Sequence, residues 1–154
     1  MIIDIPEQMQ RCERGPVADF EADEDLYRRF PSSSLDGSTV AIDAIEMPDM
    51  STMRQRFTDD VEWVLIDTTR RTDFSSWGIL AVRVGDIPDQ IEHRGVFVYE
   101  FAAVHTPQRN NYPHTDVRAF TAGRPVNAEL PPELHLRFRL RLRFKIRVIK
   151  RPRT

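Results

Sequence analysis

The chain has 154 residues, of which 40% are hydrophobic and 30% charged, a balance that indicates a single folded domain (1–154) and not a disordered chain. Its one cysteine, Cys12, excludes a disulfide framework and a cysteine-based zinc site, and it favours a cytoplasmic location. The net charge is only −2, but nine of the 22 Lys and Arg and none of the 24 Asp and Glu lie from residue 135 onward. That segment therefore carries +9 and the preceding residues carry −11.

The sequence lacks the signals of several large functional classes. No apolar run approaches the roughly 18 residues that cross a bilayer, and the N-terminus has no signal-peptide pattern, so we expect no membrane partner. There is no glycine-rich phosphate loop, dinucleotide fingerprint or G-x-S-x-G element, so we expect no cofactor.

The first third of the chain predicts little regular structure. Residues 1–19 contain Pro6 and Gly15-Pro16 and are expected to be an irregular lead-in. Residues 20–30 predict a short helix, with Asp19 as its N-cap and basic residues in its last turn. Pro31 would end that helix.

The middle of the chain predicts mainly strands. Residues 48–57 predict a second short helix, because apolar side chains recur there at helical spacing. Runs that alternate or are rich in β-branched residues, bounded by Asp, Gly, Pro or Ser, predict strands at 38–45, 61–66, 79–84, 96–104 and 115–120.

The C-terminal region has the most regular pattern in the sequence. From Leu134 to Val148 apolar and polar residues alternate without a break, which predicts one long amphipathic strand, with a basic extension to residue 150 and a short tail at 151–154. Its apolar face would place Phe138, Leu140, Leu142 and Phe144 in the core. Its other face would present a basic strip, namely Arg137, Arg139, Arg141, Arg143, Lys145 and Arg147.

Together these elements predict an α+β fold. We expect a mainly antiparallel sheet of five to six strands with one or two short helices, ending in the long strand at 134–148.

A loop near the middle holds the densest cluster of reactive side chains. It contains His105, Arg109, His114 and Asp116, and its two prolines exclude a regular element. The two histidines could act as general base and general acid, with Arg109 stabilising a developing negative charge. Alternatively His105, His114 and Asp116 could bind a metal ion, although no established metal motif is present and we predict none. A third interpretation is that these are turn and capping groups.

Scattered motifs provide one resemblance. Leu26-Tyr27-Arg28-Arg29, Ser32-Ser33-Ser34 and the spaced set His105-x-Pro107-x-x-Asn110-x-x-x-His114 resemble a group of small bacterial proteins. The resemblance implies a bacterial origin, but it implies no activity.

Two functional hypotheses follow. The first is a small soluble interaction module whose basic strip pairs with an acidic protein, with a second copy of the chain, with nucleic acid, or with the acidic body of its own chain. The second is a small hydrolase or nuclease with His105 and His114 as its acid–base pair. We favour the interaction module, because the strip is the stronger pattern; whether the protein is an enzyme stays open.

Overall fold

The computed structural model describes residues 4–153, so residues 1–3 of the predicted lead-in and residue 154 of the predicted tail lie outside the described residues. The described chain contains one α-helix, α1 (Pro132–Arg143), and several short 3-10 turns. Its strands are β1 (Asp25–Phe30), β2 (Leu35–Asp36), β3 (Thr39–Val40), β4 (Asp49–Arg54), β5 (Gly78–Arg83), β6 (Gln90–His93), β7 (Phe97–His105), β8 (His114–Thr121), β9 (Arg124–Pro125) and β10 (Arg147–Lys150).

A curled antiparallel sheet of eight strands dominates the fold. Seven strands follow the order β10-β5-β1-β4-β8-β7-β6, β9 pairs with β8, and β2 pairs with β3 in a separate ribbon. The predicted α+β class and antiparallel sheet are confirmed, but the sheet has more strands than the predicted five or six.

Each face of the sheet is covered by its own hydrophobic cluster. Alternate residues of a strand point to opposite faces, so Leu26 and Phe30 of β1 face one side, while Tyr27 faces the other. The first face buries the larger cluster, which includes Phe101, Val117 and the inner side of α1. The second face carries a smaller cluster built on Met53, Ile79, Met9 and the 3-10 turn at Val61–Leu65.

The prediction of a long strand at 134–148 is wrong, because α1 occupies most of that segment. In the helix every fourth residue returns to the same side, so Leu134, Phe138 and Leu142 are fully buried. The intervening Leu140 and Phe144 are 44% and 82% exposed and do not contribute to the buried core, contrary to prediction. Only β10, at the end of the segment, is a strand.

Composition explains why this segment is helical. Residues 134–144 contain only His, Leu, Arg and Phe, with no β-branched side chain, and Leu and Arg are good helix formers. Pro132 occupies the first turn, where a missing N–H costs nothing, and Arg141 and Arg143 lie in the last turn, where they complement the helix dipole. Ile146 and Val148, the first β-branched residues, coincide with the return to strand.

Other predicted elements also change type. Residues 20–30 and 48–57 were predicted as helices but form β1 and β4, two central strands whose polar side chains hide the alternation. Residues 38–45 form only the short β3 and a 3-10 turn, and residues 61–66 form a 3-10 turn instead of a strand. The strands predicted at 79–84, 96–104 and 115–120 are present as β5, β7 and β8.

A buried ion pair fastens the irregular N-terminal segment to the sheet. The Arg54 guanidinium is fully buried and forms two hydrogen bonds with the Glu24 carboxylate, at 2.7 and 2.9 Å. It also donates to the carbonyl oxygens of Val17 and Asp19, and it lies 3.9 Å from the centre of the Phe20 ring. These contacts hold an extended segment that has little regular structure of its own.

Arginine side chains also hold α1 in place. Arg137 and Arg141 donate to the carbonyl oxygens of Glu92 and Gln90 in β6, and Arg139 donates to the carbonyl oxygen of Ile45 at 2.7 Å. The helix is therefore fixed by its buried apolar side and by hydrogen bonds along both flanks.

Candidate functional site

The predicted reactive loop is confirmed only for residues 106–113, which connect β7 and β8 as a β-hairpin. His105 is the last residue of β7, and His114 and Asp116 belong to β8, so three of the four predicted site residues lie in strands and not in a loop. The main-chain N–H and C=O groups of Gln108 and Asn111 bond reciprocally, at 3.1 and 2.9 Å, and Asn110 has the positive φ of 63° that closes the turn. Thr106 N–H donates to His114 O at 3.0 Å and extends the β7–β8 ladder. The loop is thus short and well ordered by its own backbone.

The sheet register separates the two histidines. His105 pairs with Thr115 across the β7–β8 ladder, so these two side chains share a face of the sheet. His114 precedes Thr115 and points to the opposite face, together with Asp116. The structure therefore does not bring His105 and His114 together as an acid–base pair, and their catalytic role stays a prediction.

His105 has the environment of a structural residue. Its Nδ1 accepts the Val17 N–H at 2.9 Å, and its Nε2–H donates to the Tyr112 carbonyl at 2.7 Å, which requires a neutral imidazole. The ring is 3% exposed and stacks on Phe57. Burial lowers the pKa of His105 below its ordinary value. Both ring nitrogens are used, so the side chain joins the hairpin to the N-terminal segment.

His114 and Asp116, by contrast, belong to one polar cluster. The Nδ1–H of His114 donates to the Thr106 carbonyl at 3.0 Å, and the Thr106 hydroxyl donates to Asp116 at 3.1 Å. Nε2 of His114 lies 3.6 Å from Asp116 Oδ1. Arg118 donates to the other carboxylate oxygen of Asp116 at 3.1 Å. These contacts satisfy the buried polar groups of Thr106, His114 and Asp116, whereas the buried Oδ1 of Asn111 has no hydrogen-bond partner in the described structure.

Sequence reasoning missed a second carboxylate in this cluster. The β4–β8 pairing sets Asp49 opposite Arg118, with 3.8 Å between Asp49 Oδ1 and Arg118 Nε. Partial burial and the nearby Asp116 carboxylate raise the pKa of Asp49. Finding Asp49 required the strand pairing, which was inaccessible while residues 48–57 were predicted to be a helix.

The predicted Arg109 stands apart from these groups. It is exposed at the tip of the hairpin, and within residues 4–153 it has no hydrogen bond or ion pair through its side chain. The same part of the chain contains no group of three His, Cys, Asp or Glu placed to hold a metal ion. The hairpin therefore combines turn and capping groups with one small acid–base cluster.

The basic residues of the C-terminus do not form the predicted linear strip. After the helix three of them pair with acidic groups of the same chain: Lys145 with Asp86, Arg147 with Asp25, and Lys150 with Glu62. The four arginines of α1 behave differently. Arg137, Arg139 and Arg141 donate only to main-chain carbonyls, and Nε of Arg143 is buried without a hydrogen-bond partner in the described structure.

We define the outer helix face as the side of α1 turned away from the sheet, together with the C-cap residue Phe144. It is formed by Leu136, Leu140 and Phe144 and flanked by Arg137, Arg139, Arg141 and Arg143. Its three apolar side chains are 45%, 44% and 82% exposed. They recur at every fourth position and form a continuous stripe between the two arginine flanks. The side of α1 opposite its buried face therefore exposes apolar side chains next to arginines.

Comparisons with family models, with curated proteins and with solved structures give no match. Among the helical residues that the structure describes, none form a span long and apolar enough to cross a membrane.

Proposed function

We propose that the protein is an interaction module whose outer helix face binds an acidic segment of a partner protein that also carries apolar side chains. The observation that supports this is the exposed stripe of Leu136, Leu140 and Phe144 between two rows of arginine. Apolar side chains with a basic rim fit a partner segment with the reverse charge and the same apolar spacing.

The arginines keep their charge available for a partner. A main-chain carbonyl accepts a hydrogen bond without neutralising a guanidinium, and within residues 4–153 no carboxylate lies within 4 Å of the four helix arginines. The hydrogen bonds of Arg137, Arg139 and Arg141 also fix these side chains before any partner arrives. Less side-chain entropy is then lost on binding.

The same features argue against the other two partner classes. In a symmetric dimer through this face, the four arginines of each copy would meet those of the other, which is unfavourable. Phosphates of a nucleic acid would neutralise the charges of the arginines, but they would lie against Leu136 and Leu140, whose apolar side chains would gain no apolar contact. An acidic, apolar protein segment satisfies both parts of the surface.

Peptide selection tests the proposal even though the partner is unidentified. A random peptide library would be selected on the wild type and then counter-selected on a variant that combines Leu136→Ser with Leu140→Ser. Val98→Ser provides the matched control, because Val98 is 44% exposed, like Leu140, but lies on the sheet. We expect peptides with acidic residues and apolar residues at helical spacing, which bind the wild type and the control but not the double variant.

Three results would contradict the proposal. Selected peptides could lack acidic residues, or bind the double variant as tightly as the wild type. The wild type could also shift duplex DNA at low salt with a slope of log affinity against log salt near −4, which about four phosphate contacts predict and which would favour nucleic acid. Analytical ultracentrifugation of the wild type without peptide measures its oligomeric state. A dimer that the double variant does not form would identify a second copy of the chain as the partner, and this result would also contradict the proposal.

The alternative hydrolase or nuclease hypothesis has no comparable support. Its acid–base pair would need His105 and His114 on one face of the sheet, and the β7–β8 register sets them on opposite faces.

A further inference from the structure

A large cleft lies on the second face of the sheet, away from the outer helix face. Its volume is about 960 Å³, which is at the upper end of the range for small-molecule sites, roughly 300–1,000 Å³. It is lined by the 3-10 turn at Val61–Leu65, the loop at 66–75, and residues near both ends of the described chain.

One wall of the cleft is apolar and rigid. Trp63, Leu65, Ile66 and Phe74 line it, and Phe74 also packs edge-on against Trp77 outside the cleft. Behind this wall the Arg29 guanidinium lies 3.7 Å from the centre of the Phe74 ring, and it donates to the carbonyl oxygens of Val64 and Ile66. These contacts hold the aromatic surface in place, so that a flat ligand could stack on it.

Four carboxylates line the cleft, those of Asp4, Glu62, Asp67 and Asp73, and three of them accept hydrogen bonds from the protein. Asp73 accepts the Ser75 N–H at 2.9 Å. The Asp67 carboxylate accepts the N–H groups of Thr69, Arg71 and Thr72, and these hydrogen bonds outweigh burial and hold the pKa of Asp67 below its ordinary value. Glu62 receives Lys150 Nζ at 2.8 Å on both oxygens. Within residues 4–153 only the Asp4 carboxylate of the four makes no hydrogen bond or ion pair, so the cleft holds at most one carboxylate free for a cationic ligand.

The arginines of the cleft are not engaged in this way. Arg70, Arg71 and Arg153 line it, and in the described part of the chain none of the three makes a side-chain hydrogen bond or ion pair. Arg70 adopts a φ of 58°, a conformation that costs energy for a residue other than glycine and that the Asp67 hydrogen bonds impose on the turn. The loop thus presents two neighbouring guanidinium groups beside an aromatic wall.

We infer that this cleft binds a small organic anion with a flat, apolar body, whose carboxylate or phosphate contacts Arg70, Arg71 and Arg153 and whose body packs on Trp63 and Phe74. Guanidinium groups are suited to either anion because they donate paired hydrogen bonds. This inference is independent of the proposed protein interaction, because the two surfaces share no residue.

The test uses three probes that share a naphthalene ring and differ in its substituent. 1-Naphthoate carries a carboxylate, 1-naphthyl phosphate carries a phosphate, and 1-naphthalenemethanol is neutral. Binding is followed by tryptophan fluorescence, since Trp63 lines the cleft, and is located by amide chemical-shift changes in the full chain. We expect both anions to bind at least tenfold more tightly than the neutral probe, with shifts confined to residues 61–76 and their neighbours, where tenfold corresponds to about 1.4 kcal/mol. The tighter of the two anions assigns the anion class.

Variants separate the cleft from general anion binding. Arg70→Gln combined with Arg71→Gln should weaken the anions at least tenfold and leave the neutral probe unchanged. Arg109→Gln, which removes an exposed arginine from the β7–β8 hairpin, should leave the affinity for all three probes unchanged. Absence of anion binding at millimolar concentration, equal affinity for the neutral probe, or an unaffected double variant would each overturn the inference. Far-UV circular dichroism confirms that the variants are folded.

Discussion

Truncating Phe138 tests the helical packing of α1. The side chain is fully buried, and its ring centre lies 4.5 Å from that of Phe101 in β7. Phe138→Ala should therefore lower the free energy of unfolding by about 3–5 kcal/mol, which combines lost transfer energy with the cavity left behind. That loss is a large fraction of the roughly 5–15 kcal/mol that stabilises a typical domain.

Leu140→Ala is the matched control on the same helix. Leu140 is 44% exposed, so about half of the ~1.5–3 kcal/mol of a fully buried side chain is lost, and the better helix propensity of Ala offsets a little of it. We expect a cost of about 1 kcal/mol. The two variants therefore differ severalfold, although both positions lie on the same side of the alternating sequence pattern.

Urea denaturation followed by far-UV circular dichroism measures both values, with the slope m checked for a change in the unfolded state. In a strand, Phe138 and Leu140 would face the same core and cost similar amounts. Similar losses for the two variants would therefore refute the helical packing.

Three further predictions concern other parts of the fold. Glu24→Gln should cost about 3–5 kcal/mol, because it leaves the Arg54 charge buried without its carboxylate; a loss below about 1 kcal/mol in urea denaturation would contradict this. Stability should decline as the pH falls below about 6.5, because burial lowers the folded-state pKa of His105 and the unfolded chain takes up the proton first. His105→Gln should flatten part of that decline in pH-dependent thermal melts, and an unchanged profile would exclude His105 as a source. Gly78→Ala should cost about 1–3 kcal/mol, because its Cβ would lie 2.7 Å from the Phe30 ring, and a melting temperature equal to that of the wild type would refute this close packing.

The strands that were predicted correctly are those whose own residues, or whose adjoining loop, are typical of a strand and its ends. β5, with Ile79, Leu80 and Val82, is buried on both faces and forms a continuous apolar run bounded by Gly78. β7 and β8 are separated by a loop with two prolines, which marks the end of β7 and the beginning of β8. Such local signals do not depend on the rest of the fold.

The central strand β1 was missed for a tertiary reason. Arg28 and Arg29 look like surface residues of a helix end, but their side chains cross to loop carbonyls on the two faces, those of Ala44 and Val64 among them. When the polar side chains of a buried strand donate hydrogen bonds to distant main-chain carbonyls, the sequence of that strand does not alternate between apolar and polar residues. Its pairing with β5 becomes evident only from the register.

The C-terminal segment shows how a strict pattern can mislead. Strict alternation supplies apolar residues to both sides of a helix, so half of them can be buried while the other half remain outside. The absence of β-branched residues between Leu134 and Phe144 was the signal that could have identified the helix. Because the segment is a helix and not a strand, its basic residues do not form one linear strip. Four arginines lie on the flanks of the helix, and Lys145 and Arg147 form ion pairs with acidic residues of the same chain.

The hydrogen bonds from Arg137 and Arg141 to β6 have a consequence for aggregation. β6 is the last strand on its side of the sheet, and the two arginines occupy the carbonyls of alternate residues, Glu92 and Gln90. Those carbonyls are the groups that an incoming strand from another molecule would use. A chain shortened before α1 would leave this row open as a template, so the C-terminal helix keeps neighbouring molecules from joining their sheets edge to edge.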